Sequence, residues 1–421
     1  MKTTQLFTFI IGTAIVLASC KKEGCTDQSA TNYDPNAEND DGSCVYDGSG
    51  GNNDGGDGDD NTDNLQNLAG NESSPLTISD VHSDNSVYDY YIDGTWEINA
   101  AVTIEPGVRI LMKSGAQVEV NENGSLTAIG TGANKIAFIG EQAVPGYWNY
   151  IRFDASNNPN NELTYVEVKH AGGDDYYLSN AAVFVRGKSR LKMNNTLIQN
   201  SARRGLKVNA ADGLLTEFSN NTISDCESHS IYLHNLGHLA NFAGNNNLST
   251  GNTYNKIQVG GNPVGSPVDI PNVNSTILLE ETSDINADVT IAAGNYFEMG
   301  SGAKIEVNSN GSLAMIGNAS NPITITGKQE VKGYWKCIRF DDSNNPSNEM
   351  QYVDVSYGGG EDYYLENAMI FVRSSGYLTM GNSSVTYSER DGVKVNSTDG
   401  TFNDEGTNTF SNNDGQDVNL P

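Results

Sequence analysis

The stretch GYWNYIRFD at positions 146–154 returns as GYWKCIRFD at positions 333–341, 187 residues further along the chain. At the same spacing, 27 of the 42 positions in 146–187 are identical to those in 333–374. The register continues without a gap from about position 99 to the last residue. Self-similarity at a fixed period is the signature of a repeat architecture, so we infer that one structural unit has been copied.

Each copy consists of short runs of β-branched residues that alternate with polar ones. In the first copy the runs are 102–104, 116–120, 136–139, 150–153, 165–168, 182–185, 196–198 and 205–208. Period-two alternation indicates half-buried strands, and strands of this length build a sandwich, a propeller or a parallel β-helix. Asparagine-rich turns and the scarcity of Asn-Gly hairpin turns favour the last. We therefore predict an all-β fold, a parallel β-helix made of two tandem copies; its right-handed winding is implied by the family resemblance described below.

The composition excludes one class of partner. The 421 residues carry 53 acidic and 24 basic side chains, with a formal net charge of −29 at pH 7. Nucleic-acid binding requires a strongly basic face, so we predict no nucleic-acid partner. The same net charge disfavours acidic polysaccharides unless calcium bridges them. If the ligand is a glycan, we therefore expect a neutral one.

The N-terminal residues have the pattern of a lipoprotein export signal. An apolar run over 6–17 follows Lys2 and leads into Leu17-Ala18-Ser19-Cys20, which resembles a lipobox. The run is too short to span a bilayer and fits a signal peptide, so we expect Cys20 to be lipidated. The predicted domains are a signal peptide at 1–19, a lipidated and disulfide-closed acidic module at 20–46, a flexible linker at 47–75, the first β-helix copy with connecting coils at 76–277 and the second copy at 278–421.

The acidic module reads GCTDQSATNYDPNAENDDGSC over 24–44. In an oxidising compartment, Cys25 and Cys44 are the natural disulfide pair, because a segment this small has no core of its own. Carboxylate and amide oxygens near a glycine turn suit calcium, although their spacing does not match an EF-hand loop. Calcium is the only cofactor that the sequence suggests, and its possible ligands are Asp27, Asp34, Asn36, Asp40 and Asp41.

These motifs carry two resemblances. Over about 330 residues, the glycine turns, the Gly-Tyr-Trp corner and the asparagine-rich turns resemble a broad family of right-handed parallel β-helix lipoproteins from Bacteroidetes. The acidic module resembles a short cysteine-bracketed module of secreted proteins from the same phylum. The first resemblance implies the fold and an outer-membrane lipoprotein, at the cell surface or the periplasmic face. Neither implies an activity.

An enzyme is one hypothesis, because parallel β-helices often carry polysaccharide lyases and glycoside hydrolases. Such enzymes need carboxylates to protonate a glycosidic oxygen, or a basic residue to abstract a proton. An ion pair between Arg152 and Asp154, on one strand face, explains those two residues without catalysis. If the protein is an enzyme, the catalytic candidates are Asp154, Asp175, Lys207 and their equivalents Asp341, Asp362 and Lys394.

Four further residues have a spacing that superficially suggests zinc: Cys226, His229, His234 and His238. On a strand, His229 and His234 point to opposite faces, so we do not predict a zinc site. Cys226 lies in the first copy and Cys337 in the second, and we expect both to be buried free thiols.

A pair of tyrosines in each copy provides candidate ligand contacts. Tyr176 and Tyr177 follow a Gly-Gly-Asp-Asp loop, and Tyr363 and Tyr364 are their equivalents. Aromatic rings on loops are good stacking surfaces, and two like surfaces on one rod raise avidity. We predict a non-enzymatic surface binding or adhesion protein whose partner is a polysaccharide or another cell-envelope protein. The alternatives are a polysaccharide lyase or glycoside hydrolase, and a structural envelope component.

The lipid anchor is directly testable. Replacing Cys20 by serine should move the protein from the membrane fraction to the soluble fraction, because each buried CH₂ of the acyl chains contributes about 0.8 kcal/mol to anchoring. Detergent phase partition and mass spectrometry of the mature N-terminus measure the change. Cys25→Ser is the matched control and should stay membrane-bound. A Cys20→Ser protein that still partitions with membranes would contradict the lipobox.

Overall fold

The computed structural model describes residues 65–82, 84–173, 180–361 and 368–421, together with 22, 26, 33 and 35–37. The chain divides into two compact units, 1–60 and 61–421. All the strands described lie in the second unit, and we number them β1 to β41 in chain order. The described residues also contain one short 3-10 helix, Leu236–Asn241, between β20 and β21. None of the described helices is long and apolar enough to cross a membrane.

The strands form five sheets, and neighbouring strands within each sheet are parallel. Sheet 1 contains β1 (Gln66–Asn67), β4 (Tyr90–Ile92), β7 (Arg109–Met112), β10 (Ile136–Gly140), β13 (Val166–Lys169), β16 (Leu197–Gln199), β19 (Thr222–Ser224) and β22 (Asn247–Thr250). Sheet 2 contains β2 (Gly70–Glu72), β5 (Thr95–Ile98), β8 (Gln117–Val120), β11 (Ile151–Asp154), β14 (Ala181–Arg186), β17 (Arg204–Val208), β20 (His229–Leu233), β23 (Tyr254–Val259), β25 (Thr276–Leu279), β28 (Tyr296–Met299), β31 (Ile323–Gly327), β34 (Val353–Ser356), β37 (Ser384–Thr386) and β40 (Thr409–Ser411).

Sheets 3 to 5 are shorter. Sheet 3 contains β3 (Leu76–Ile78), β6 (Ala101–Ile104), β9 (Ser125–Ile129), β12 (Glu162–Thr164), β15 (Arg190–Asn194), β18 (Leu214–Ser219) and β21 (Phe242–Ala243). Sheet 4 contains β26 (Thr282–Ile285), β29 (Lys304–Val307), β32 (Ile338–Asp341), β35 (Ala368–Arg373), β38 (Asp391–Val395) and β41 (Val418–Asn419). Sheet 5 contains β24 (Val268–Ile270), β27 (Asp288–Ala292), β30 (Ser312–Ile316), β33 (Glu349–Gln351), β36 (Tyr377–Gly381) and β39 (Thr401–Asp404).

Consecutive strands lie in different sheets, and each strand pairs with the one three positions later in most of the chain. One coil therefore visits three sides before the chain returns to the first, which is the winding of a parallel β-helix. This confirms the predicted fold class, and each of the eight runs in the first copy overlaps a strand. The solenoid begins earlier than position 76, because β1 and β2 lie within the predicted linker.

The core is a set of stacked side chains, one from each coil. In β8, Val118 and Val120 are fully buried, while Gln117 and Glu119 face outward. Each inward residue of sheet 2 lies directly above its register partner in the next coil, about 4.8 Å away. The longest stack is Trp96, Val118, Ile151, Val183, Leu206, Ile231, Ile257, Ile277, Phe297, Ile325, Val355 and Val385.

Asparagine side chains stabilise the turns between coils. The buried Asn221 accepts a hydrogen bond from the Thr196 backbone N–H at 3.0 Å through Oδ1, and its Nδ2 donates to the Met193 carbonyl at 2.9 Å. In the next coil, Asn246 Oδ1 accepts from the Asn221 N–H at 2.9 Å. Such ladders satisfy backbone groups that would otherwise be buried without partners.

The Gly-Tyr-Trp corner places a large ring in the core of each copy. Trp148 and Trp335 are fully buried, and their indole N–H groups donate to the Lys169 carbonyl at 2.7 Å and the Ser356 carbonyl at 2.8 Å. A buried tryptophan needs a partner for its N–H, and the next coil supplies one. The second copy therefore reproduces the packing of the first.

The second copy is nevertheless displaced by one side of the solenoid. Strands of sheet 1 in the first copy, such as β10 and β13, have their sequence equivalents β31 and β34 in sheet 2. In the same way, β11 and β14 of sheet 2 correspond to β32 and β35 of sheet 4. The cause is that 187 residues span seven coils and one further side. Six coils lead from β4 to β22 in sheet 1, one side leads from β22 to β23 in sheet 2, and one more coil leads to β25, the equivalent of β4. Sheet 2 alone continues through the junction, where β23 pairs with β25.

The asparagine ladder predicts that alanine substitution destabilises the protein more at the buried Asn221 than at the exposed Asn245, one coil further on. Asn221→Ala should lower the free energy of unfolding by about 2 kcal/mol, because the Thr196 N–H and the Met193 carbonyl lose their buried partner. Asn245→Ala, at an exposed turn position, is the control and should change it by less than about 0.5 kcal/mol. Urea denaturation followed by circular dichroism measures both. A loss of unfolding free energy in Asn221→Ala no larger than that in Asn245→Ala would contradict a stabilising role of the ladder.

Candidate functional site

One line of side chains crosses the outside of sheet 2 at a single register position. Its members in order along the solenoid are Glu97, Glu119, Arg152, Phe184, Lys207, Tyr232, Gln258, Leu278, Glu298, Thr326, Ser356 and Thr386. Because the sheet is continuous, residues from distant parts of the chain become neighbours on one rigid surface.

The predicted catalytic aspartates in the described residues belong to ion pairs between coils. Asp154 accepts a hydrogen bond from Arg186 in the next coil at 2.8 Å, and Arg152 pairs with Glu119 of the preceding coil at 2.7 Å. In the second copy, Asp341 pairs with Arg373 at 2.7 Å.

Arg339 bonds to Glu306 and lies 3.6 Å from Asp341. Strand parity alone predicts an Arg152–Asp154 pair, whereas the closer contacts run between coils, where register partners face one another. Both aspartates are thus held by arginine.

The predicted base Lys207 lies in a groove of about 440 Å³, which we call the Lys207 groove. It is lined by Asn180, Arg204, Lys207, Asn209, Tyr232, His234 and Asn262. Arg204, Lys207 and Tyr232 lie on β17 and β20, Asn180 precedes β14, and the other three residues follow β17, β20 and β23. The groove therefore combines hydrogen-bonding amides, two cations and an aromatic ring on four successive coils.

Lys207 is held among aromatic rings. Its Nζ donates to Asn180 Oδ1 at 2.8 Å, and lies 5.1 Å from the ring centre of Phe184 and 5.8 Å from that of Tyr232. Burial, together with the positive charge of Arg204, lowers the pKa of Lys207 to about 8. A substantial fraction of the amine is therefore neutral in mildly alkaline solution.

Arg204 lies beside Lys207 and stacks on the same tyrosine. Its guanidinium is 5.4 Å from the Tyr232 ring centre, and its Nη2 donates to Gln258 Oε1 at 2.8 Å. Burial lowers the pKa of Arg204 and raises that of Tyr232. Both groups are thus partly desolvated, which strengthens any charge interaction made in the groove.

The second copy keeps the lysine but not its surroundings. Lys394 is equivalent to Lys207 and lies on sheet 4, while Asp391 replaces Arg204 and Asn419 replaces Tyr232. Asp391 is buried, and accepts hydrogen bonds from the Gln416 N–H at 2.7 Å and from Asn419 Nδ2 at 2.8 Å. Among the described residues, the second copy therefore does not repeat this combination of arginine, lysine and tyrosine at the equivalent position.

The four residues spaced like zinc ligands do not converge. His229 stacks on Tyr254 with ring centres 4.6 Å apart, and burial lowers its pKa to about 4. His238 Nε2 lies 2.8 Å from the Gly213 carbonyl. Among the described residues there is no group of three or more histidine, cysteine, aspartate or glutamate side chains that could hold a metal ion.

Cys226 and Cys337 are both buried, as predicted, and neither forms a disulfide with another described residue. Burial raises the pKa of Cys226 to about 12. Such a thiol is unreactive near neutral pH.

An exposed aromatic stack occurs at a corner of the second copy. Tyr357 and Tyr387 have ring centres 5.1 Å apart and an interplanar angle of 12°, and Tyr387 is 40% exposed. The equivalent positions in the first copy are His170 and Asn200. Sequence reasoning missed this stack, because the two tyrosines are thirty positions apart and meet only through the winding.

Several predicted site residues lie outside the described residues. They are the tyrosines Tyr176, Tyr177, Tyr363 and Tyr364, the aspartates Asp175 and Asp362, the lipidation site Cys20, the disulfide pair Cys25 and Cys44, and the calcium candidates Asp27, Asp34, Asp40 and Asp41. Of the calcium candidates, Asn36 alone is described, as an exposed residue in a turn.

Comparisons with known proteins give short or distant similarities. No family model matches the chain. Over 24 residues it is 79% identical to Rubisco activase 1 of Larrea tridentata and 75% identical to Rubisco activase A of Hordeum vulgare, which covers 6% of this chain and about 5% of either activase. A crystal structure of the GH136 lacto-N-biosidase from Eubacterium ramulus aligns over 83% of this chain and 68% of that chain, at 10% identity and a TM-score of 0.27. Similarity at these levels does not indicate a shared function.

The protonation of Lys207 can be measured directly. In lysine-selective NMR, the signal that Lys207→Met removes should titrate with a midpoint near 8, below the ordinary value of 10.5. Arg204→Gln should raise the midpoint, because removing a neighbouring positive charge favours the protonated amine. A midpoint at or above 10.5 in the unsubstituted protein would contradict the desolvated groove.

Proposed function

We propose that the protein is an exported, lipid-anchored protein that binds polysaccharide at the cell envelope through the Lys207 groove. The observation that carries the proposal is the convergence of Lys207 and Tyr232, on adjacent strands of sheet 2, with Asn180, which directly precedes β14 of the same sheet. Sugars are recognised by directed hydrogen bonds together with an aromatic surface, and this groove offers both. Its volume of about 440 Å³ is at the lower end of small-molecule sites, which suits one or two sugar rings.

The export and the anchor rest on the lipobox-like Leu17-Ala18-Ser19-Cys20 and on the resemblance to Bacteroidetes lipoproteins. The linker that follows is rich in glycine and aspartate and contains no apolar residue over 47–64, so we expect it to hold the solenoid away from the membrane. A solenoid on such a linker has access to extended polymers.

The duplication supports avidity less than the sequence suggests. The equivalent surfaces of the two copies lie on different sides of the solenoid, since sheet 2 strands of the first copy correspond to sheet 4 strands of the second. The second copy also has Asp391 where the first has Arg204. We therefore propose one groove of this chemistry, on the first copy.

A polysaccharide lyase is the second candidate, and the lowered pKa of Lys207 favours it. In a lyase the base removes the proton from the carbon that bears the uronate carboxylate. The C–O bond to the leaving sugar then breaks, a C=C bond forms, and the leaving oxygen takes up a proton. A partly neutral lysine is a suitable base for the first step. No equally specific observation favours hydrolysis, since Asp154 and Asp341 are held by arginines.

Incubation of the mature protein with a panel of neutral and acidic polysaccharides tests these functions. We expect binding by depletion or calorimetry, with no new reducing ends and no unsaturated product. The double variant Lys207→Met, Tyr232→Ala should weaken binding at least tenfold, because each residue supplies about 1 kcal/mol or more of contact energy. Lys394→Met is the matched control and should bind normally, and thermal unfolding checks that the variants fold.

The outcomes separate the alternatives. Unsaturated product that depends on Lys207 would replace binding alone with lyase activity. Binding that the double variant retains would move the contact surface elsewhere, for example to the Tyr357–Tyr387 stack. The absence of binding to every polysaccharide would leave a structural role in the envelope.

A further inference from the structure

The arginines on the outer surface of the solenoid provide an internal comparison. Arg152, Arg186 and Arg373 each have a carboxylate oxygen within 2.8 Å. The chain has 53 acidic side chains for 24 basic ones, so carboxylate partners are abundant. An arginine without such a partner is therefore not explained by a shortage of carboxylates.

Arg204 is such an arginine. Within the described residues its partners are the neutral amide of Gln258 and the ring of Tyr232, and it forms no salt bridge there. Taking a guanidinium partly out of water without an anion is unfavourable, and a ligand anion placed against it would recover much of that cost.

One acidic side chain that acts on Arg204, Glu280, is already engaged. Gln258 accepts from Arg204 and donates through Nε2 to Glu280 Oε2 at 2.7 Å. Glu280 in turn pairs with Lys328 at 3.2 Å. Gln258 therefore separates Arg204 from Glu280, and a ligand anion would not have to displace an internal carboxylate.

The groove is also locally positive in an acidic protein. Arg204 and Lys207 line it, and none of the seven lining residues that the structure describes is acidic. Close charges act through the partly desolvated groove, whereas distant surface charges are screened beyond about 10 Å at 0.1 M salt. The net charge of the chain, which favours a neutral glycan, is therefore outweighed at this position.

We propose that the Lys207 groove takes a sugar that bears a carboxylate, a uronic acid within a polysaccharide, with the carboxylate placed on Arg204. A planar carboxylate matches the fork of donors on a guanidinium, and Tyr232 beneath Arg204 fixes the plane of that fork. The adjacent Lys207 adds a second positive charge. This inference rests on the proposed polysaccharide binding and specifies its substrate class.

The test compares acids with their own methyl esters. Oligogalacturonates and alginate oligosaccharides, each as the free acid and as the methyl ester, are titrated into the mature protein by calorimetry. The ester keeps the sugar and its hydroxyl groups but removes the charge. We expect at least one acid to bind about tenfold or more tightly than its ester, and this preference to weaken as salt is added.

Arg204→Gln identifies the residue responsible. It should reduce affinity for the acid about tenfold more than affinity for the ester, because it removes the charge and keeps a polar side chain. Arg204→Lys should retain part of the preference, since it keeps the charge but loses the fork. Arg186→Gln, at an arginine already paired with Asp154, is the matched control and should bind acid and ester as the unsubstituted protein does.

Failure of this inference is distinguishable from failure of the proposed function. If acids and esters bind equally, or if neutral polysaccharides bind and none of the acids does, the carboxylate specificity is overturned and polysaccharide binding stands. If the acid preference survives in Arg204→Gln, the anion site lies elsewhere and the assignment to Arg204 is wrong. If no saccharide of either kind binds, both proposals fall together.

Discussion

The core, the surface ion pairs and the groove of the solenoid all depend on the parallel pairing of each strand with the strands of the coils before and after it. A single coil has no partner for its backbone groups and no second layer on which to bury its apolar side chains. Stacking coils solves both problems at once, and it forces equivalent positions of successive coils into contact. The inward residues become continuous stacks, such as the one from Trp96 to Val385, and the outward residues become the rows in which ion pairs form.

The same constraint explains how sites are built in this molecule. Lys207 and Tyr232 are 25 positions apart in the chain but are register partners in adjacent strands. Arg204 reaches Gln258 across a further coil, and Gln258 reaches Glu280 in the coil after that. Side chains held at register spacing on a rigid sheet are well positioned without a dedicated loop. A substitution in one coil therefore changes a groove whose other walls come from the neighbouring coils.

Much of the architecture could be predicted from the sequence, because alternation and repeat length are local properties. The strands of the first copy, the buried thiols of Cys226 and Cys337 and the asparagine turns follow from such patterns. The groove could not be predicted in the same way, since only the winding brings Arg204, Lys207 and Tyr232 together with Asn262. The strand Gly70–Glu72 was missed for a different reason. It has no alternation of its own, and pairing with Thr95–Ile98 rather than propensity makes it a strand. A signal for the groove was nevertheless present, in the positions where the copies differ, such as Arg204 and Asp391.

The length of the repeat, seven coils and one further side, has a consequence for the growth of such proteins. Each duplication acts as a three-fold screw operation, advancing along the solenoid axis while turning the pattern by one side. A third copy joined in the same way would place the motif on the remaining side, and a fourth would return it to the first. Tandem duplication of this gene segment would thus place one surface on each of the three sides before repeating it on any of them. A repeat made of whole coils would instead place every copy of the surface on the same side.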